Sequence, residues 1–126
     1  MESEELTEKI IQCAFKVSNT LGNGFLEKVY ENAFAYELKK TGLDVIQQHS
    51  LNVIYDGVMV GEYMADLVVN GSVLIELKAV KELDDIHKAQ CINYLKATGL
   101  KVCLLINFGQ KKVQVKRITN NFLCEA

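Results

Sequence analysis

Apolar residues recur at helical spacing over residues 4 to about 20, where Leu6, Ile10, Cys13, Ala14, Val17 and Leu21 fall on one face. Leu21-Gly22-Asn23-Gly24 interrupts that period with two glycines, a turn signal. A second helical stretch runs from about Phe25 to Thr41 and stops at Gly42, a residue suited to the position just past a helix. From Leu43 the spacing changes to that of strands. LDVIQQHSLNVIYDG is rich in β-branched residues and closes on Asp-Gly, a hairpin signal. VMVGEYMADLVV, the turn Asn70-Gly71-Ser72 and VLIELKAV complete a meander of three strands. LDDIHKAQCINYLKATG reads as a third helix, with Asp84 or Asp85 near its start and Gly99 just past its end. KVCLLINFG is a buried strand, GQKK a turn and VQVKRIT a returning strand.

The order is α-α-β-β-β-α-β-β without internal repeat. It predicts an α/β fold in one domain spanning residues 1–126, with a single mixed sheet and helices covering at least one of its faces. The helix between the third and fourth strands allows a parallel crossover, normally right-handed.

Three charges interrupt the apolar strands: Asp66, Glu76 and Lys78. In a strand, residues two apart share a face, so Glu76 and Lys78 point the same way as Leu74, and Asp66 the same way as Met64 and Val68. A two-residue turn at Asn70-Gly71 would set Asp66 against Ile75 and away from Glu76. A three-residue loop brings both carboxylates to one face, and Asn-Gly-Ser suits a type I turn with a left-handed glycine and a bulge. Two such carboxylates form a hard oxygen site suited to Mg²⁺ or Mn²⁺, beside which Lys78 can hold a water or offset phosphate charge. The competing account is a Glu/Lys pair at a solvent-facing strand edge. Against it stands the cost of placing unpaired charge in nearly all-apolar strands.

Glu27 and Glu31 lie four apart on the second helix, on the stripe that carries Phe34 and Leu38, with Tyr30 alongside. Acids suit a helix N-terminus, which accounts for Glu27 better than for Glu31. Gln90 and Tyr94 repeat the four-residue spacing on the third helix, with His87 one turn earlier. An amide and a phenol on one face can contact a nucleic-acid backbone or base, although by the pair alone a core tyrosine with its hydroxyl at the rim and a surface glutamine is the better account. His87 has no partner at metal-ligand spacing.

Bulk properties narrow the choice. The chain has 126 residues, 49% apolar and 24% charged, no proline and a net charge of −2, which gives no global attraction to nucleic acid. Charge is uneven, however: from Lys78 to Arg117 there are nine Lys or Arg residues against three acids. That half forms either a basic patch or an ordinary solvated surface. Cys13, Cys91, Cys103 and Cys124 are scattered, without the spacing of a zinc site or disulfide framework, which suits reduced thiols in a cytoplasmic protein. No apolar run is long enough to cross a membrane, and the acidic start MESEELTEK is unlike a signal peptide.

Asp66, then Glu76-Leu77-Lys78, then Gln90-x-x-x-Tyr94 resembles the PD-(D/E)XK nuclease superfamily, the last element its RecB-like branch. GFLEKVY (24–30) resembles the signature of the small GxxExxY proteins of that superfamily, and the stretch from Ile75 to Gly109 is similar to them almost throughout. The resemblance covers most of residues 7–118. It implies a restriction-endonuclease-like mixed sheet flanked by helices. It implies Asp66 and Glu76 as ligands of Mg²⁺ or Mn²⁺, Lys78 acting on the attacking water, Glu27 or Glu31 as the helix acid, and Gln90 and Tyr94 on the substrate. The partner it implies is nucleic acid, DNA foremost, with no membrane association; a homodimer stays open. Two positions depart from the pattern: Met64 stands where a basic residue is usual, and Ala65 where the superfamily has its leading proline. A non-cutting nucleic-acid-binding module and a protein-interaction domain on the same fold are the alternatives.

Overall fold

The computed structural model describes residues 3–119. Its elements are α1 (Ser3–Leu21), α2 (Glu27–Lys40), β1 (Val45–Tyr55), β2 (Val58–Val69), β3 (Val73–Lys78), α3 (Asp85–Thr98), β4 (Val102–Asn107) and β5 (Gln114–Thr119). This is the order expected from the sequence. The strands form one five-stranded sheet in the order β1-β2-β3-β4-β5. β3 and β4 are parallel and every other neighbouring pair is antiparallel.

Helices cover both faces of the sheet. α1 and α2 bury Leu6, Ile10, Tyr30, Phe34 and Leu38 against Leu67, Val69, Val73, Ile75, Leu77, Leu104 and Ile106. α3 buries Cys91 and Leu95 against Val68, Leu74, Cys103 and Leu105 on the other face. Successive residues of β3 and β4 therefore face opposite helical layers. That is why these strands read as unbroken apolar runs rather than as alternation. Among the described residues no helix is long and apolar enough to cross a membrane.

Turn chemistry follows the sequence closely, with one difference. Asp56 and Gly57 both have positive φ (52° and 77°), and Tyr55 pairs with Val58, a two-residue primed hairpin. Between β2 and β3 the register Val69↔Val73 and Val68↔Leu74 leaves the three-residue loop Asn70-Gly71-Ser72. Asn70 as well as Gly71 is left-handed (φ 52° and 63°), so the turn is not the type I form with a single left-handed glycine. The reason is tertiary: Asn70 is fastened to the residue preceding β1 by Asn70 N–H donating to Asp44 O (2.8 Å) and Asp44 N–H donating to Asn70 Oδ1 (2.8 Å).

The far half of the β1–β2 hairpin projects beyond the helical layers. Val53, Ile54, Tyr55, Val58, Met59 and Val60 are all exposed there.

Beyond β3 the chain is clamped to the end of β4. Phe108 N–H donates to Lys78 O (2.8 Å), and buried Asn107 receives Val80 N–H on Oδ1 (3.0 Å) while its Nδ2 donates to Val80 O (2.9 Å). Gly109 makes this contact sterically feasible, because a Cβ there would lie 2.2 Å from Val80 O and 2.4 Å from Val80 N. Backbone on both sides leaves no flexible side chain to yield. Gly109→Ala is therefore expected to destabilise the fold by about 3 kcal/mol, the upper range for overpacking, and to displace residues 79–81. Urea unfolding measures this; an unchanged midpoint and slope would show that the two loops separate at no cost.

Candidate active site

The meeting of β2 and β3 builds the centre of the site. Their last ladder pair is Leu67↔Ile75; one step further the register sets Asp66 across from Glu76. There the ladder ends, because a side chain takes over the bond: Leu77 N–H donates to Asp66 Oδ2 (2.8 Å). The three-residue loop thus brings the two carboxylates together as anticipated. The Asp66 carboxylate, however, leans into the gap between the strands rather than standing off one face.

The simple alternation expected for β2 also fails at this point. Leu67 and Val69 belong to the α1/α2 side and Val68 to the α3 side, yet Ala65 joins the α3 side and Tyr63 packs there too. Asp66 therefore does not share a face with both Met64 and Val68. The slip has a visible origin in β1: Gln48 has φ 53°, and the pairing runs from Gln47↔Leu67 to His49↔Ala65 with Gln48 and Asp66 skipped between them. A left-handed backbone costs a non-glycine residue roughly 1–2 kcal/mol, so something must hold it. Gln48 Nε2 donates to Glu31 Oε1 (2.7 Å) and to Asp66 Oδ1 (3.3 Å).

Burial sets the electrostatics. Glu76 is 7% exposed, and its Oε1 has no hydrogen-bond partner among the described residues. Desolvation, then the Asp66 charge beside it, push the Glu76 carboxyl up to about 9. Asp66 is also raised, by desolvation, against the opposing pull of the Leu77 N–H and the Gln48 amide. Lys78, half-buried two residues past Glu76, favours the charged form of both carboxylates.

The two helix acids have different surroundings. Glu31 is buried and held on both oxygens: Lys28 Nζ (3.0 Å) and Gln47 Nε2 (2.7 Å) donate to Oε2, and Gln48 Nε2 to Oε1. Glu27 lies at the solvent surface, but its pKa is raised by partial desolvation, opposed by Lys78 and reinforced by Asp66 and Glu31. The glycine–tyrosine frame around Glu27 is structural. Tyr30 stacks on Phe108 (4.8 Å between centroids), its hydroxyl donates to Gly22 O (2.6 Å), and it accepts from Phe25 N–H (3.2 Å).

α3 closes the other side. His87, Gln90, Cys91 and Tyr94 occupy one face by their spacing. Asp84 caps the helix, its Oδ1 accepting from Ile86 N–H (2.9 Å), and His87 Nδ1 accepts from Asp84 N–H (3.1 Å). With Nδ1 accepting, Nε2 is the ring nitrogen left to carry a proton, and an imidazolium there would favour ionised Glu27. Gln90 is half-buried. Tyr94 stacks on Tyr63 at 3.7 Å, and desolvation, then Glu76, push its hydroxyl up to about 12. The Tyr63 hydroxyl is buried without a partner among the described residues, and desolvation, then Glu76, raise its pKa as well.

A sequence profile of the PD-(D/E)XK nuclease superfamily matches residues 4–118. The chain belongs to this superfamily. Its structure is similar to an alkaline exonuclease (LHK-Exo) from Laribacter hongkongensis, with a TM-score of 0.57 and 14% identity over 98% of this chain and 74% of that one. It is also similar to the crystal structure of SSO0001, with a TM-score of 0.55 and 18% identity over 92% of this chain. The chain spans 58% of the length of SSO0001. No curated protein sequence matches it. The mixed sheet with helices on both faces is thus the nuclease fold.

Nucleases of the PD-(D/E)XK superfamily typically use divalent metals. The residues present fit such an ion. Two adjacent carboxylates with one buried, unpartnered oxygen need either a proton or a cation. Among the described residues no group of three or more His, Cys, Asp or Glu side chains forms a closed cage. A hard ion that keeps most of its waters needs no such cage.

Three groups in this PD-(D/E)XK site went unnoticed in the sequence. Gln48 and Gln47 carried one faint sign, the polar run QQHS inside a strand. Tyr63 carried none. Cys91 and Cys103, read as scattered, meet beneath the site, where a hydrogen bond from Cys103 lowers the Cys91 thiol. Cys13 is a separate buried thiol and Cys124 lies outside the described residues.

The raised Glu76 pKa fixes a pH dependence. A carboxyl that binds its proton more tightly when folded contributes stability fully below its ordinary pKa of 4.5 and loses it as pH rises toward about 9. In EDTA, wild-type stability should fall across that window with a slope of up to about 1.4 kcal/mol per pH unit from this group. Glu76→Gln should lack that slope, matching wild type near pH 4 and exceeding it at pH 8. Chemical denaturation across pH reads the difference; parallel curves would mean that Glu76 is ionised in the folded protein.

Proposed function

We propose that the chain is a cytoplasmic, metal-dependent nuclease that hydrolyses DNA phosphodiester bonds. The observation that carries this reading is half-buried Asp66 set beside buried Glu76, whose Oε1 has no partner among the described residues, followed two residues later by Lys78. Gly24, Glu27 and Tyr30, together with Gln90 and Tyr94, support placement among the GxxExxY proteins with a RecB-like third helix.

On this reading Asp66 and Glu76 hold Mg²⁺ or Mn²⁺. When bound, the ion supplies charge to offset the phosphate and acidifies water. Lys78 holds the attacking water in line and stabilises charge on the phosphoryl oxygens. The water oxygen bonds to phosphorus and gives up a proton to solvent as the bond to the leaving sugar oxygen breaks and that oxygen takes up a proton from solvent. Tyr94 and Gln90 contact the nucleotide from α3. The strand backbone has a basic rim to follow. Lys81 follows β3, and Gln110 Nε2 donates to Lys81 O (2.6 Å), which brings exposed Lys111 and Lys112 to the same end of the sheet.

With Mg²⁺ or Mn²⁺ the protein should cut DNA. Glu76→Gln should reduce cutting to background, and Lys78→Met should slow it by roughly 10²–10³-fold with a smaller loss of metal affinity. Replacing Lys81, Lys111 and Lys112 with alanine should lower the slope of log affinity against log salt for duplex DNA by up to about 2.7 if all three meet phosphates. Cleavage of single- and double-stranded substrates, calorimetry with Mn²⁺ and salt titrations test the set. No cation binding and no cutting across the panel would leave the non-catalytic alternative standing.

A second reading has its own observation. The exposed apolar tip from Val53 to Val60 sits in a stretch with no Lys or Arg between Lys40 and Lys78, a surface suited to protein rather than nucleic acid. A homodimer formed there is compatible with nuclease activity. Sedimentation of wild type against Ile54→Lys decides it: a concentration-dependent dimer lost in the variant supports the contact, and a monomeric wild type removes it.

A further inference from the structure

The geometry points to Gln48 as a positioning residue that fixes the Asp66 carboxylate from the side of α2. Its use in catalysis rests on the nuclease reading; the positioning itself does not.

Asp56 and Asn70, the other non-glycine residues described with positive φ, belong to hairpin turns, where that conformation is ordinary. Gln48 stands in mid-strand, between the pairs Gln47↔Leu67 and His49↔Ala65. Glutamine gains nothing locally from a left-handed backbone. What the conformation achieves is a departure from alternation. In a regular strand Gln47 and Gln48 would point to opposite faces. Here both amides reach Glu31: Gln47 Nε2 to Oε2 at 2.7 Å and Gln48 Nε2 to Oε1 at 2.7 Å.

Both N–H groups of the Gln48 amide are used. It has two N–H bonds, and two carboxylate oxygens receive them, Glu31 Oε1 and, at 3.3 Å, Asp66 Oδ1. An ionised carboxylate only accepts, so the nitrogen, not the oxygen, must face both. Glu31 in turn is held by Lys28 and Gln47. A chain of contacts therefore runs from α2 through Glu31 and Gln48 to Asp66. On its other oxygen Asp66 meets Leu77 N–H. Two donors from two directions set where the carboxylate stands; either alone would leave it free to swing.

The test reads one amide. Gln48→Gly keeps the left-handed backbone available and deletes the side chain. In metal-free protein, hydrogen exchange at Leu77 N–H should accelerate at least tenfold in Gln48→Gly, while the amides of β4 exchange as in wild type. Glu31→Gln should accelerate Leu77 on its own, and adding it to Gln48→Gly should change little, because the route from Glu31 is already cut. Calorimetry with Mn²⁺ should show a parallel loss of about tenfold in affinity. If Leu77 exchange is unchanged in Gln48→Gly, or the two substitutions act additively, the inference is overturned whatever the metal does. If Leu77 responds as expected but wild type binds no Mn²⁺, Gln48 holds Asp66 as stated and the nuclease reading is what fails.

Discussion

The hydrogen bond from Leu77 N–H to Asp66 Oδ2 is the contact on which this arrangement depends. It stands where a backbone carbonyl of β2 would have continued the ladder. Substituting a side chain for the carbonyl lets the strands part without leaving a buried donor unpaired, a cost of about 1–3 kcal/mol otherwise. Parting of the strands gives Glu76 room beside Asp66. From there onward β3 pairs only with β4, as far as Lys78↔Asn107, so Lys78 extends past the point where β2 would have covered it. One bond thus sets the spacing of all three charged side chains.

Those charges are expensive, and the fold shows how the expense is met. Asp66 has two donors. Glu31 has three. Glu76 has none on Oε1 and is raised to about 9. Among the described residues two buried side-chain oxygens go unmet, Glu76 Oε1 and the Tyr63 hydroxyl, and only the first can carry charge at neutral pH; around it stand the stacked Tyr63 and Tyr94 and the β3–β4 pairing. A frame that leaves a carboxylate oxygen unsatisfied has a standing preference for a proton or a cation there. The choice between them depends on pH and on the ion available.

How much of this could be read in the sequence follows from the type of signal. Asp66, Glu76 and Lys78 were visible because they violate an apolar pattern, and the three-residue loop was visible because only that length sets the two acids opposite each other. The helices were visible from period and caps. Gln48 was not, since a polar residue in a partly exposed strand breaks no rule and a left-handed glutamine has no sequence signature. The slip in alternation at Ala65 followed from it and was equally hidden. Asn70 took a left-handed backbone because of Asp44, a contact 26 residues distant. Tyr63 looked like any strand aromatic; its meaning comes from Tyr94, which only the crossover through α3 brings alongside.

The same physics separates Glu27 from Glu31, which the sequence left undecided. A group that must hold another in place works best with donors on both oxygens, and Glu31 has three, from Lys28, Gln47 and Gln48. A group that must meet a transient ion or phosphate ester has to keep acceptor directions open. Glu27 has no hydrogen-bond partner among the described residues, lies at the surface and senses Lys78, Asp66 and His87. Its position is fixed from below instead, by Tyr30 wedged between Phe108 and the Gly22 carbonyl. On the proposed reading Glu27 is therefore the helix acid available to substrate or metal, and Glu31 belongs to the framework. The tyrosine of the motif explains why the two can lie one turn apart on the same helix and still serve opposite needs: it anchors the start of α2 without spending any of Glu27's oxygens.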